Sequence, residues 1–194
     1  QELSDALDTL DTGGLYLYDN FGAIEWEVIA SNIRYLNHAE GVRIFYLDHL
    51  TALASHAEDE RKALEVITAE IAMLAKELGI IIHVVSHLAT PEGKPHEEGG
   101  RVMIRHFKGS RAIGYWAYTV LGMERDQQNP DPGLRTITTL RILKHRVDGS
   151  KTGTTLFFGY DEASGLLFDT DNPEGRAHGF TEETTATVPD DTPF

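Results

Sequence analysis

The sequence predicts an α/β fold, a mostly parallel sheet with antiparallel strands at its edge. Three observations carry that expectation. Short apolar runs alternate with helical patterns over the first half of the chain. The helical stretches place apolar residues at three- and four-residue steps, whereas the strand-like runs are continuous and short. From about Tyr118 onward the pattern is of strands joined by Gly- and Asp-bearing turns, as antiparallel hairpins require.

Taken in order, "LYLYD" (Leu15 to Asp19) reads as a first strand. "EVIASNIRYLNHAEG" reads as a helix stopped at Gly41, and "RIFYLDH" as a second strand. Leu64, Ile67, Ile71, Leu74 and Leu78 then form one apolar stripe along a helix. Glu58, Asp59 and Glu60 suit its positive N-terminal end, and Gly79 a left-handed stop. "IIIHVVSH" follows as a third strand, apolar enough to be buried on both faces. "TPEGKPHEEGG" (Thr90 to Gly100) has the residues of a loop, "YTVLGMER" those of a strand, and "QQNPDPG" those of a turn. "TITTLRILKHR" and "TTLFFGYDEASGLLF" read as antiparallel strands joined through "VDGSKTG". One domain is expected over 1–168, followed by an acidic, disordered tail over 169–194.

The length of 194 residues suits one domain with a sizeable core. No apolar run approaches the roughly 20 residues of a membrane span, so a cytoplasmic protein without membrane contact is expected. Zero cysteines exclude disulfides and thiolate metal sites. The first residue is Gln1, which fits a piece of a longer chain.

A net charge of −14 argues against a general nucleic-acid coat. Its distribution matters more. Seven acidic residues against the single Arg176 put six of those fourteen negatives into 169–194. Meanwhile Arg101, Arg105, Lys108 and Arg111 cluster with His106, a basic strip on an acidic protein.

In open α/β sheets ligands bind beyond the carboxyl ends of the parallel strands. Here the first three strands end in Asp19 and Asn20, in Asp48 and His49, and in Ser86 and His87. Four hydrophobic residues before Asp48 make a Walker B pattern, whose carboxylate holds Mg²⁺ beside nucleotide phosphates. Aspartate also begins ordinary turns, and the pattern alone leaves both readings open. Lys144 and Arg146 lie two apart near a strand end and so face one way. They suit a cationic reach toward a neighbouring subunit's phosphates, or equally a charged edge that discourages aggregation.

The blocks "FYLDHLTAL", "ERKALEVITAEIAMLAKELGI", "VVSHL", "GKPHEEGG", "HFKGSRAIGYWAYTVLGMERDQQ" and "LRILKHRVDGSKTG" occur in this order. Together they resemble the C-terminal motor domain of DnaB-type hexameric replicative helicases, nearest to the phage primase-helicases and Twinkle. The resemblance spans Leu15 to Leu167 and implies a RecA-like P-loop NTPase core. It implies an enzyme that hydrolyses ATP (or dTTP) with Mg²⁺ and moves 5′ to 3′ along single-stranded DNA as a ring hexamer. Carried over by position, Asp48 matches the Walker B carboxylate and metal ligand, and His87 the phosphate-sensing histidine. Lys144 and Arg146 match the pair that reaches the next subunit's γ-phosphate. Arg125 matches an arginine near the nucleotide, and Tyr160 a tyrosine against its base. Lys94, Lys108, Gly109 and Ser110 match the loops that line the DNA channel. The acidic tail ending in Phe194 resembles the phage segment that docks on a replicative polymerase.

Three departures stand out. "GSRAIGYW" puts Tyr115 where many relatives carry a glutamine, leaving Arg111 as a candidate DNA-loop contact. His49 and His83 read more simply as structural histidines. No G-x-x-x-x-G-K-[S/T] phosphate loop occurs: "GKP" and "GSKTG" lack its context. The resemblance implies that this loop lies upstream of Gln1 and that the fragment alone hydrolyses nucleotide poorly. A non-catalytic RecA-like module that binds DNA or a partner is the alternative.

Overall fold

Helix α1 (Trp26–Glu40) buries Trp26, Ala30 and Ile33, a stripe at helical spacing. It ends where Gly41 turns left-handed at φ 72°. The Gly41 and Val42 N–H groups then donate to the Asn37 and Leu36 carbonyls, both at 3.2 Å. A computed structural model describes residues 4, 14–19, 22, 24–55 and 57–173, with Ser110 described by its backbone only.

Strand β1 (Ile44–Leu47), helix α2 (Glu60–Leu78) and strand β2 (Ile81–Val84) form a β–α–β unit. The two strands pair in parallel, from Ile44 opposite Ile81 to Leu47 opposite Val84. The predicted stripe of α2 is where burial falls: Leu64, Ile67, Ile71 and Leu74 are all in the core. Asp59 caps the helix by accepting the Lys62 N–H at 3.0 Å, and Gly79 ends it at φ 63°.

The C-terminal part is an antiparallel sheet in the order β3–β4–β5–β6. Its strands are Thr119–Arg125, Thr138–His145, Thr155–Asp161 and Leu166–Asp169. Two short helices, α3 (Ser110–Trp116) and α4 (Pro132–Arg135), precede and follow β3 in the chain. Val102, Ile113, Val120 and Leu143 join the antiparallel sheet to the helical core in one buried cluster.

Three expectations need correcting. Leu15–Asp19 forms no strand; among the described residues it has no ladder partner, and Leu17 is 83% exposed. A strand exists through its neighbour's hydrogen bonds, whatever its own pattern. For the same reason β2 is not buried on both faces, since Ile81 and Val84 lie open beside a two-stranded sheet. The single expected sheet is in two pieces, with no ladder between them among the described residues. The acidic segment from Glu174 to Phe194 lies outside the described residues.

Candidate functional site

The site grows from the carboxyl ends of β1 and β2. Pairing continues past the strands, with Val85 N–H donating to Leu47 O and Leu50 N–H to Val85 O, both at 2.9 Å. Asp48 therefore leaves the sheet beside Ser86 and His87, exposed to solvent. His49 caps the 3-10 turn Leu50–Ala54, its Nδ1 accepting the Ala52 N–H at 3.2 Å. Its ring lies 3.9 Å from that of His87, centroid to centroid. Thr51, a buried residue, puts its Oγ1 2.8 Å from His49 Nδ1 and 3.3 Å from His87 Nδ1. Thr51 is the member of this cluster that sequence reasoning missed. His83 stands apart, stacked on Tyr46 at 4.8 Å.

The basic strip is bonded directly to this cluster. Lys108 N–H donates to His87 O at 2.9 Å, and Ala89 N–H to His106 O at 2.7 Å. Ser86 Oγ donates to Lys108 O at 3.4 Å. Along the strip, Val102, Ile104 and Phe107 turn into the core while Arg105, Lys108 and Arg111 stay exposed. Gly109 makes the turn into α3 at φ 77°, close against Leu64. The Lys94 loop meets the strip through His96 and His106, whose rings lie 5.0 Å apart. Burial, then the neighbouring His96 and Arg105, hold His106 below the ordinary imidazole range. A neutral ring suits its Nδ1, which accepts the Met103 N–H at 3.2 Å.

Lys144 and Arg146 do face one way, as their spacing predicted. What they meet is the end of α3. Lys144 Nζ donates to the Gly114 and Ala117 carbonyls, each at 2.7 Å. Arg146 Nη2 donates to Tyr115 O, and its guanidinium lies 5.1 Å from the Tyr118 ring. Cations at a helix C-terminus satisfy carbonyls that have no intrahelical partner. Burial, then Arg146, hold the Lys144 ammonium below its usual range.

Arg125 and Tyr160 lie in β3 and β5 of the antiparallel sheet. Arg125 Nε donates to Arg135 O at 2.5 Å, tying β3 to α4. Beside Tyr160, the Phe168 ring crosses Gly159 so closely that a Cβ there would sit 2.3 Å from it.

Asp48 offers an exposed carboxylate at this strand end, and no group of three or more metal-ligating side chains occurs among the described residues. An exposed carboxylate suits Mg²⁺, which takes one or two carboxylates and fills its shell with water and phosphate oxygens. No described helix is long and apolar enough to cross a membrane.

Comparison with known proteins gives a family and a fold. The family model for the DnaB-like helicase C-terminal domain matches residues 1–162. The DNA helicase/primase of Enterobacteria phage T3 is 32% identical over 169 residues, covering 86% of this chain and 29% of that protein. A solved DnaB-like replicative helicase, described with its interactions with primase, superposes with a TM-score of 0.71 at 21% identity. That match covers 87% of this chain and 40% of the other. A KaiC-like protein from the hyperthermophilic archaeon Pyrococcus horikoshii superposes with a TM-score of 0.59 at 13% identity, covering 85% and 64%. The fold is RecA-like, and the chain spans under a third of the length of the phage relative.

Proposed function

This chain belongs to the DnaB-like helicase C-terminal domain family, and we propose that it is the motor portion of an NTP-driven replicative helicase. The observation that carries the reading is the bond from Lys108 N–H to His87 O, which ties a strand-end cluster to a basic strip. One part is suited to nucleotide phosphates, the other to a nucleic-acid backbone. The phosphate loop absent from these 194 residues would be supplied by chain outside them.

In this reading Asp48 would hold Mg²⁺ beside the phosphates of ATP or dTTP, where the ion would supply charge neutralisation. His87 faces the γ-phosphate from the neighbouring strand end. Tyr160 packs against the base, and Arg125 serves as a catalytic arginine near the nucleotide. Lys144 and Arg146 serve the adjacent subunit of a hexameric ring. A phosphate there would compete with the Gly114, Tyr115 and Ala117 carbonyls that these cations now hold. Loss of those bonds would loosen the end of α3, the helix that starts at the proposed DNA loop.

Lys94, Lys108, Gly109, Ser110 and Arg111 would grip single-stranded DNA phosphates without reading sequence. The protein would move 5′ to 3′ in the cytoplasm of its host, and the acidic segment through Phe194 would contact a replicative polymerase. Lys108→Ala and Arg111→Ala are each expected to weaken single-stranded DNA binding across sequences. Each should lower the slope of log affinity against log salt by about 0.7. Titrations of a labelled oligonucleotide at several salt concentrations read both effects; an unchanged slope in both variants would remove the strip from the DNA site.

A further inference from the structure

A buried hydroxyl must find partners, and the Thr51 hydroxyl lies within hydrogen-bond reach of two imidazoles. The surrounding bonds fix their roles. The Ala52 N–H can only donate, so His49 Nδ1 carries a lone pair and its ring proton sits on Nε2. The Thr51 hydroxyl, 2.8 Å from the same Nδ1, donates to it as well. Its oxygen is then left to accept, and the other nitrogen within reach is His87 Nδ1 at 3.3 Å. In that arrangement His87 Nδ1 is the donor and bears the ring proton.

We propose that Thr51, oriented by His49, is a positioning residue that fixes the rotamer and tautomer of His87. The relay runs from the Ala52 N–H and the Thr51 hydroxyl into His49, and from His87 Nδ1–H into Thr51. It leaves His87 Nε2 as the ring atom available to a ligand, on an exposed side chain at the end of β2. A neutral His87 so held presents an acceptor at Nε2, and a protonated one a donor. The functional consequence rests on the reading of His87 as the γ-phosphate-facing residue.

The test has a part that needs no catalysis. Long-range ¹H–¹⁵N spectra of the imidazoles in the 194-residue chain report which nitrogen of each ring is protonated. His49 is expected as the Nε2–H form and His87 as the Nδ1–H form. Thr51→Val keeps shape and removes the hydroxyl, and should release His87 into a mixture of tautomers; Thr51→Ser should keep the wild-type form. His87 found as the Nε2–H tautomer, or unmoved by Thr51→Val, overturns the proposal.

The second part reads hydrolysis by the natural polypeptide that carries these residues. Thr51→Val is expected to lower the DNA-stimulated kcat about tenfold, the worth of one hydrogen bond, with KM unmoved. Thr51→Ser should recover the rate, and Thr51→Val on a His87→Ala background should add nothing further. Unaltered hydrolysis in His87→Ala would overturn the phosphate reading of His87, with its tautomer still deciding the positioning claim.

Discussion

Asp48→Ala is expected to lower nucleotide hydrolysis in the natural polypeptide by at least about 10²–10³ in kcat, the scale set by removing one preorganised electrostatic contact. The expectation follows from position. Asp48 leaves β1 beside the polar end of β2 and is exposed, with no competing structural contact among the side-chain bonds described. Its replacement therefore subtracts chemistry and leaves the fold intact. Asp48→Asn keeps shape but loses the charge that favours Mg²⁺, and should fall nearly as far. Hydrolysis assayed across a Mg²⁺ titration separates weakened metal binding from lost turnover. Near wild-type kcat in Asp48→Ala at saturating Mg²⁺ would take Asp48 out of the site.

The second large effect is on stability. Glu124 and Arg141 form a buried pair at 3.3 Å, with side-chain exposures of 7% and 4%. Two contacts join them, Arg141 Nε to Glu124 Oε1 and Nη2 to Oε2. Glu124 Oε1 also accepts the Val102 N–H at 3.0 Å, and Arg141 Nη1 donates to Thr155 Oγ1 at 3.2 Å. Arg141→Met leaves a buried carboxylate without its countercharge, which costs about 3–5 kcal/mol. Against a typical domain stability of about 5–15 kcal/mol, that is a large share. Removing both charges, as Glu124→Leu with Arg141→Met, should cost less than Arg141→Met alone. The remaining penalty is the Val102 N–H left without its acceptor, about 1–3 kcal/mol. Urea denaturation of the two variants beside the parent chain measures the order; a double variant less stable than Arg141→Met would contradict it. Because Val102 opens the basic strip, the pair also anchors the proposed DNA loop to β3.

Which features could be read from the sequence follows from how local their causes are. The helices were legible because their signals are local: the stripe from Leu64 to Leu74, Asp59 at the start, Gly41 and Gly79 at the ends. The antiparallel strands were legible through alternation, as with Val120, Gly122 and Glu124 turning inward from β3. Leu15–Asp19 misled because its alternation says nothing about whether a partner strand lies beside it. Helix α3 was missed because seven residues containing Gly114 and Ile113 show too little period. Its stability comes from elsewhere, with Lys144 and Arg146 holding its last carbonyls.

The site divides the same way. Asp48 and His87 declare themselves at strand ends, and the basic strip declares itself by charge. Thr51 could not, since a threonine two residues past Asp48–His49 gains meaning only when α2 brings β2 alongside β1. The buried pair did leave a signal: one charge of each sign on the otherwise uncharged inward faces of β3 and β4.

Strand separation tests the central claim most directly. The natural polypeptide carrying these residues is given forked DNA with a 5′ tail, a 3′ tail or both, in ATP or dTTP with Mg²⁺. The account predicts unwinding that requires the 5′ tail and hydrolysable nucleotide, and that disappears in Asp48→Ala. DNA binding without unwinding, unchanged by nucleotide and by Asp48→Ala, would contradict it and leave a non-catalytic RecA-like binding module instead.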